Sequence, residues 1–218
     1  YKYLYNHKLR YIPLMVFTFL LMELCHLGYA GMVAIAVIIY GIVYMIQKGR
    51  KKAVLDVVIS MIFGFMLLGI WLVASLRGGI TSLDNSENMA NFFQNLWITI
   101  NPFERLTRGF EYFYFGFAAL VVIVFGILFG YKKSRTGFVT GFIILLMTTK
   151  SAYAVLKHLP GSQYLWMLRF ISIALCMILM SFLMWDRLKK TLVLMLCVLL
   201  VVDTIPSLSL IVGLSLIH

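Results

Sequence analysis

The sequence predicts an all-α fold: a polytopic bundle of about seven transmembrane helices, with a cytoplasmic N-terminus and a short amphipathic interfacial helix in an outer loop. Three observations lead there. Hydrophobic residues fill 62% of the 218 positions and charged residues 12%, with a mean hydropathy of +0.97, far from the balance of a soluble domain. The apolar runs are long, rich in Leu, Ile, Val, Phe and Met, and almost without alternation, as spanning helices require and barrel strands do not. Charge is also sorted, because the whole formal net charge of +11 falls on one side once the runs alternate across a bilayer.

A span needs roughly 20 residues to cross the hydrocarbon core. Runs near that length fall at about residues 8–25, 29–47, 53–76, 112–131, 136–154, 164–185 and 190–206. The first and fifth are short, which asks their flanking lysines and arginines to snorkel. With the N-terminus inside, the tight basic turns QKGRKK, YKKSR and DRLKK all face the cytoplasm, beside anionic lipid. The outer side balances six basic residues, Arg77, Arg105, Arg108, Lys150, Lys157 and Arg169, against six acidic ones, Glu23, Asp84, Glu87, Glu104, Glu111 and Asp203. The high pI is therefore a topology signal, and a nucleic-acid partner is set aside because the basic residues sit at helix ends. Membrane lipids are the partners this pattern predicts.

The basic start YKYLYNHKLR leads straight into similar apolar segments without a small-residue cleavage site, unlike a signal peptide. Beginning at Tyr1 in mid-pattern and ending at His218 inside another apolar run, the 1–218 module reads as a fragment of a longer chain. Cys25, Cys176 and Cys197 form neither a disulfide framework nor a metal-ligand spacing, and no cofactor motif is evident.

The largest extramembrane piece is the outer loop 77–111. Within it Met89, Phe92, Phe93, Leu96, Trp97 and Ile100 recur at helical spacing, with Asp84 and Glu87 in capping-box relation before them. An interfacial helix closed by Asn101-Pro102 follows from this pattern. It either covers the bundle or borders a substrate groove whose mouth carries Arg105 and Arg108. The outer turn ELCHLGYAG brings Glu23 and His26 together, as an acid/base pair or as interfacial residues of a tight turn. Lys150, Lys157, His158, Arg169 and Asp203 gather near the outer ends of the last three spans. Arg169 interrupts the run QYLWMLRF one to two turns inside the boundary, either snorkelling or facing a polar cavity, an acid such as Asp203, or a lipid phosphate.

Three stretches also carry a resemblance. ELCHLGYAGMVAIAVIIYGIVYMIQKGRKK resembles the "SHLP" turn, apolar helix and basic loop of a family of large bacterial membrane proteins, the 6-pyruvoyl-tetrahydropterin synthase-related family, close to the YfhO-like proteins. LPGSQYLWMLRFISIAL is similar to that family's "QFPWRF" segment through Gln163, Trp166, Arg169 and Phe170, and VVDTIPS to its "DALPS". Gly28 stands where the family has the proline of "HLP", and Met167 and Leu168 replace its Pro-Trp. The resemblance implies a multi-pass bacterial plasma-membrane protein similar to GT-C glycosyltransferases, which take a sugar from a polyprenyl-phosphate carrier on the outer face. It implies that Arg169, Lys150, Lys157, Arg105, Arg108, Trp166 and Gln163 serve a carrier phosphate or lipid-linked acceptor. A GT-C catalytic acid sits in a large first outer loop, which here would lie upstream of Tyr1, leaving Glu23, His26 and Glu104 as the weak candidates within the chain. A transporter or flippase of lipid-linked saccharides and a scaffold without chemistry are the alternatives; the near absence of midspan charge and of an inverted repeat weighs against transport.

Overall fold

The computed structural model describes residues 2–6, 8–25, 27–69, 73, 95–103, 114–130, 132–158, 170–185 and 190–215. The chain is all-α, with no strand among the described residues. Its helices belong to two compact units.

The first unit contains α1 (Lys2–Asn6), α2 (Tyr11–Cys25), α3 (Leu27–Lys48) and α4 (Lys51–Leu67). Between α3 and α4 the basic turn closes on Gly49, whose φ of 68° is the left-handed conformation that ends a helix and whose N–H donates to the Met45 carbonyl at 2.7 Å. Phe19 of α2 packs with Ala34 of α3 and Met61 of α4, and stands edge-on to Phe65 with ring centroids 5.1 Å apart. A Cβ at Gly64 would lie 3.3 Å from the Phe19 ring, so the glycine lets α2 and α4 close on each other. At the other end the Tyr3 hydroxyl donates to Asp56 at 2.6 Å and the Tyr44 hydroxyl to the Leu4 carbonyl at 2.7 Å. These pairings run α2 and α4 parallel and α3 antiparallel. The hydrogen bond to Asp56, with burial, pushes the Tyr3 phenol above its ordinary range and keeps it a donor at neutral pH.

The second unit contains α5 (Leu96–Ile100), α6 (Phe117–Phe129), α7 (Lys132–Met147), α8 (Lys150–Leu156), α9 (Phe170–Leu183) and α10 (Lys190–Ser215). Its most extensive packing is α7 on α9. Gly137 and Gly141 lie one turn apart on the contact face. A Cβ at Gly137 would overlap the Ser181 hydroxyl, and one at Gly141 would lie 2.8 Å from the Ile178 side chain and 3.3 Å from the Ala174 carbonyl. This is the small-xxx-small spacing through which membrane helices approach closely. Gly126 of α6 similarly makes room for the Phe138 ring, which meets Trp185 edge-on at 5.8 Å.

Burial in both units runs opposite to a soluble protein. Leu14, Phe17, Leu21 and Leu24 form the exposed stripe of α2 while Glu23 is buried, and Leu55, Ile59, Ile62 and Met66 are exposed on α4 while Ser60 is buried. In the second unit Ser134, Thr136, Thr140 and Ser181 are buried, whereas Leu179, Met180, Leu183, Leu194, Val198 and Val201 face outward. Such apolar exteriors around polar interiors are what a lipid surround selects.

Several expected spans differ in detail. Among the described residues only Tyr29–Lys48 is long and apolar enough to cross a bilayer by itself, and Tyr11–Cys25, Phe117–Phe129, Ser134–Met147, Phe170–Leu183 and Leu192–Ile205 are shorter apolar helices. The run expected over 136–154 is broken. The Thr148 and Thr149 hydroxyls each bond back to a carbonyl three residues earlier at 2.7 Å, and Thr149 then caps α8 by accepting from the Ala152 N–H at 3.4 Å. The run expected from 112 becomes helical only at Phe117, because Gly116 holds a φ of 108°. The interfacial helix ends where expected, at an extended Asn101 before Pro102. An extended Asn95 caps it, however, so its described part is only Leu96–Ile100, with Trp97 exposed; Asp84, Glu87 and Met89 to Phe93 lie outside the described residues.

Gly126→Ala should lower stability by about 1–3 kcal/mol through overpacking against Phe138, and Phe138→Leu in the same chain should recover part of the loss. Thermal unfolding in detergent or nanodiscs reads both; Gly31→Ala, where nothing lies within 4 Å of the new Cβ, serves as the control that costs nothing.

Candidate functional site

Lys150 and Lys157 bound α8. Lys150 is its first residue, Lys157 its C-cap, and both are exposed. Seven residues are two helical turns, so the two cations share one flank of the helix about 10 Å apart. The helix dipole favours Lys157 at the C-terminal end and disfavours Lys150 at the other, so Lys150 sits there against the local field. His158, also exposed, follows directly.

Asp203 lies within α10 and is half-buried. One carboxylate oxygen accepts a short hydrogen bond from the Tyr114 hydroxyl and the other accepts from the Ala118 N–H at 2.9 Å. Asp203 therefore supplies from another helix the N-terminal cap that Gly116 lacks a side chain to provide. Gly116 is needed twice over, by its positive φ and because a Cβ would run into the Asp203 carboxylate. The backbone continues the network, since the Phe115 N–H donates to the Thr99 carbonyl of α5 at 2.7 Å. The acid raised as a partner for Arg169 is thus engaged by Tyr114 and the start of α6.

Glu23 lies in the first unit, fully buried on the face of α2 that carries Phe19. Neither of its oxygens has a hydrogen-bond partner among the described residues. His26, Glu104, Arg105, Arg108, Gln163, Trp166 and Arg169 lie outside the described residues. Among the described residues no three His, Cys, Asp or Glu side chains gather as a metal site, and Cys25, Cys176 and Cys197 are free thiols on exposed faces.

The family model of the 6-pyruvoyl-tetrahydropterin synthase related domain, a membrane protein family, matches residues 1–211. The chain belongs to this family. No curated protein and no solved structure matches it. In this 6-pyruvoyl-tetrahydropterin synthase-related protein, buried polar groups inside lipid-facing helices now have a plain reason: the family is a membrane one, and the helices turn apolar stripes toward lipid. Sequence reading missed Tyr114 and Gly116. A glycine directly before an apolar run of α6 length was the available signal, and Asp203 was its unrecognised partner.

A double-mutant cycle with Asp203→Ala and Tyr114→Phe should give a coupling of about 1.5–3 kcal/mol, as expected for a hydrogen bond to a charged group. Unfolding midpoints in detergent measure it, and additive single effects would show that the two side chains do not act together.

Proposed function

We propose that this membrane protein is a module of a GT-C-like glycosyltransferase of bacterial envelope glycan or lipid assembly, using a polyprenyl-phosphate-linked sugar on the outer face. The observation that carries the reading is the paired exposure of Lys150 and Lys157 on one flank of α8, at a break between apolar helices. Two cations about 10 Å apart suit a phosphorylated headgroup lying along the interface, which each ammonium meets as a point charge. Arg169, Arg105 and Arg108 would add to this surface, with Trp166 and Gln163 beside them. Inverting displacement at the anomeric carbon needs a base for the acceptor hydroxyl and cations for the departing phosphate. Glu23 is sealed from solvent and poorly placed to take the acceptor proton, so Glu104, His26 or an acid upstream of Tyr1 would supply the base.

The reading includes about seven spans in one module with the N-terminus in the cytoplasm of a plasma-membrane protein. Shorter apolar helices remain compatible with crossing where flanking lysines and arginines snorkel. The positive-inside asymmetry supports the orientation. In a chain whose three native cysteines are replaced, an impermeant thiol reagent applied outside should modify Ser151→Cys and Ser86→Cys. Lys51→Cys and Arg135→Cys should react only after permeabilisation; the reverse pattern overturns the topology.

The phosphate reading is tested by retention of a polyprenyl phosphate on the purified full chain, followed by native mass spectrometry. Lys150→Ala, Lys157→Ala and Arg169→Ala should each weaken retention about 10-fold to 100-fold, the range of one hydrogen bond to a charged group. Arg169→Lys should also weaken it, because it loses the bidentate fork. Unchanged retention at normal membrane levels of all four variants would remove the phosphate role.

A further inference from the structure

Glu23 is the exception among the buried polar side chains. Ser60, Thr99, Thr140, Thr148 and Ser181 each donate to a backbone carbonyl, and Ser134 and Thr136 also have partners, whereas both Glu23 oxygens have none among the described residues. An unpaired carboxylate buried away from water is expensive, so a site that holds one needs a counter-charge or a proton.

The register around Glu23 identifies what surrounds it. Phe19, one turn earlier, packs on Ala34 of α3 and on Met61 and Phe65 of α4. One further turn brings Glu23 level with Ala30 and Gly31 on α3 and with Leu68 and Gly69, just past the end of α4. Ala30 is fully buried, and nothing lies within 4 Å of where a Cβ would stand at either Gly31 or Gly69. Two parallel helices therefore stop beside the carboxyl: α2 at Cys25 and α4 at Leu67. Their last carbonyls lack intrahelical donors, apart from Phe65 and Met66, which accept from the Leu68 N–H, and both dipoles present their negative ends. No basic side chain of the described residues answers this concentration of negative charge. Residues 57–69 of α4 hold no titratable group, residues 12–22 of α2 none, and residues 27–39 of α3 only the half-buried Tyr29. His26, on the connection, lies outside the described residues.

We propose that this end of the first unit binds a dehydrated, sodium-sized monovalent cation, with the Glu23 carboxylate as its single charged ligand and the terminal carbonyls of α2 and α4 as neutral ones. One carboxylate balances one positive charge, and an all-oxygen donor set suits a hard ion. Carbonyls at helix C-termini are also how membrane helices hold small cations. The site is independent of the phosphate reading at α8.

The test uses the full chain in lipid nanodiscs, with sodium chloride replaced by choline chloride or potassium chloride at constant ionic strength. Sodium should raise the unfolding midpoint saturably, by roughly 5 °C once it exceeds its Kd about 100-fold, and radioactive sodium should bind one per chain. Glu23→Gln should lose both responses. Gly69→Leu, which fills the open space and leaves the carboxyl in place, should weaken sodium binding about tenfold or more. A native chain indifferent to sodium overturns the proposal, as does a sodium response that survives Glu23→Gln. A midpoint that follows pH but not sodium, and stops doing so in Glu23→Gln, assigns the carboxyl to a proton and also overturns the cation. Should Glu23→Gln not fold, an undiminished sodium response in Gly69→Leu overturns it.

Discussion

In lipid, apolar side chains gain little by turning inward, because the surround is as apolar as the interior. Helices are then held by close backbone approach and by polar groups that lipid cannot satisfy. The contact of α7 with α9 is the fullest expression of this constraint. Gly137 and Gly141 bring two backbones together over Ala174, Ile178 and Ser181, and the buried hydroxyls of Thr140 and Ser181 satisfy themselves on their own helices at 2.8 and 2.6 Å. Leucine could not serve at either glycine. The exteriors of the same helices are left to leucine, methionine and valine.

The same constraint makes each unsatisfied backbone group costly, and this is why Asp203 sits where it does. Helix α6 begins at a glycine and so has no side chain of its own to cap its first N–H groups. A carboxylate on α10 reaches across and takes the Ala118 N–H and the Tyr114 hydroxyl together. Pro206, three residues later in α10, lacks the N–H that the Val202 carbonyl would accept, so the helix is already perturbed beside its acid.

Fold class was legible from composition alone, because no soluble arrangement accommodates these apolar runs. The break at Thr148–Thr149 was not, since two threonines in an apolar run are equally consistent with a helix whose hydroxyls bond back to it. Gly64 was identifiable as a packing residue and meets Phe19 as such, while Gly69, which sits beside it in sequence, faces open space. Only the partner helix distinguishes them. Tyr114 and Asp203 are 89 positions apart, and Glu23 looks in sequence like any acid at an outer turn. Periodicity reports which residues share a face of one helix; what that face meets is a property of the other helices.

The clasp of Tyr3 on Asp56 bears on biogenesis. Its two halves are separated by 53 residues, so α1 leaves the ribosome well before its acceptor exists. At roughly 5–20 residues per second the hydroxyl waits about 3 to 10 s for α4 to emerge. During that interval the leading segment has no fixed seat, and the first two apolar helices must insert without it. Docking of α1 then reports that the third has arrived, a checkpoint written into the order of synthesis.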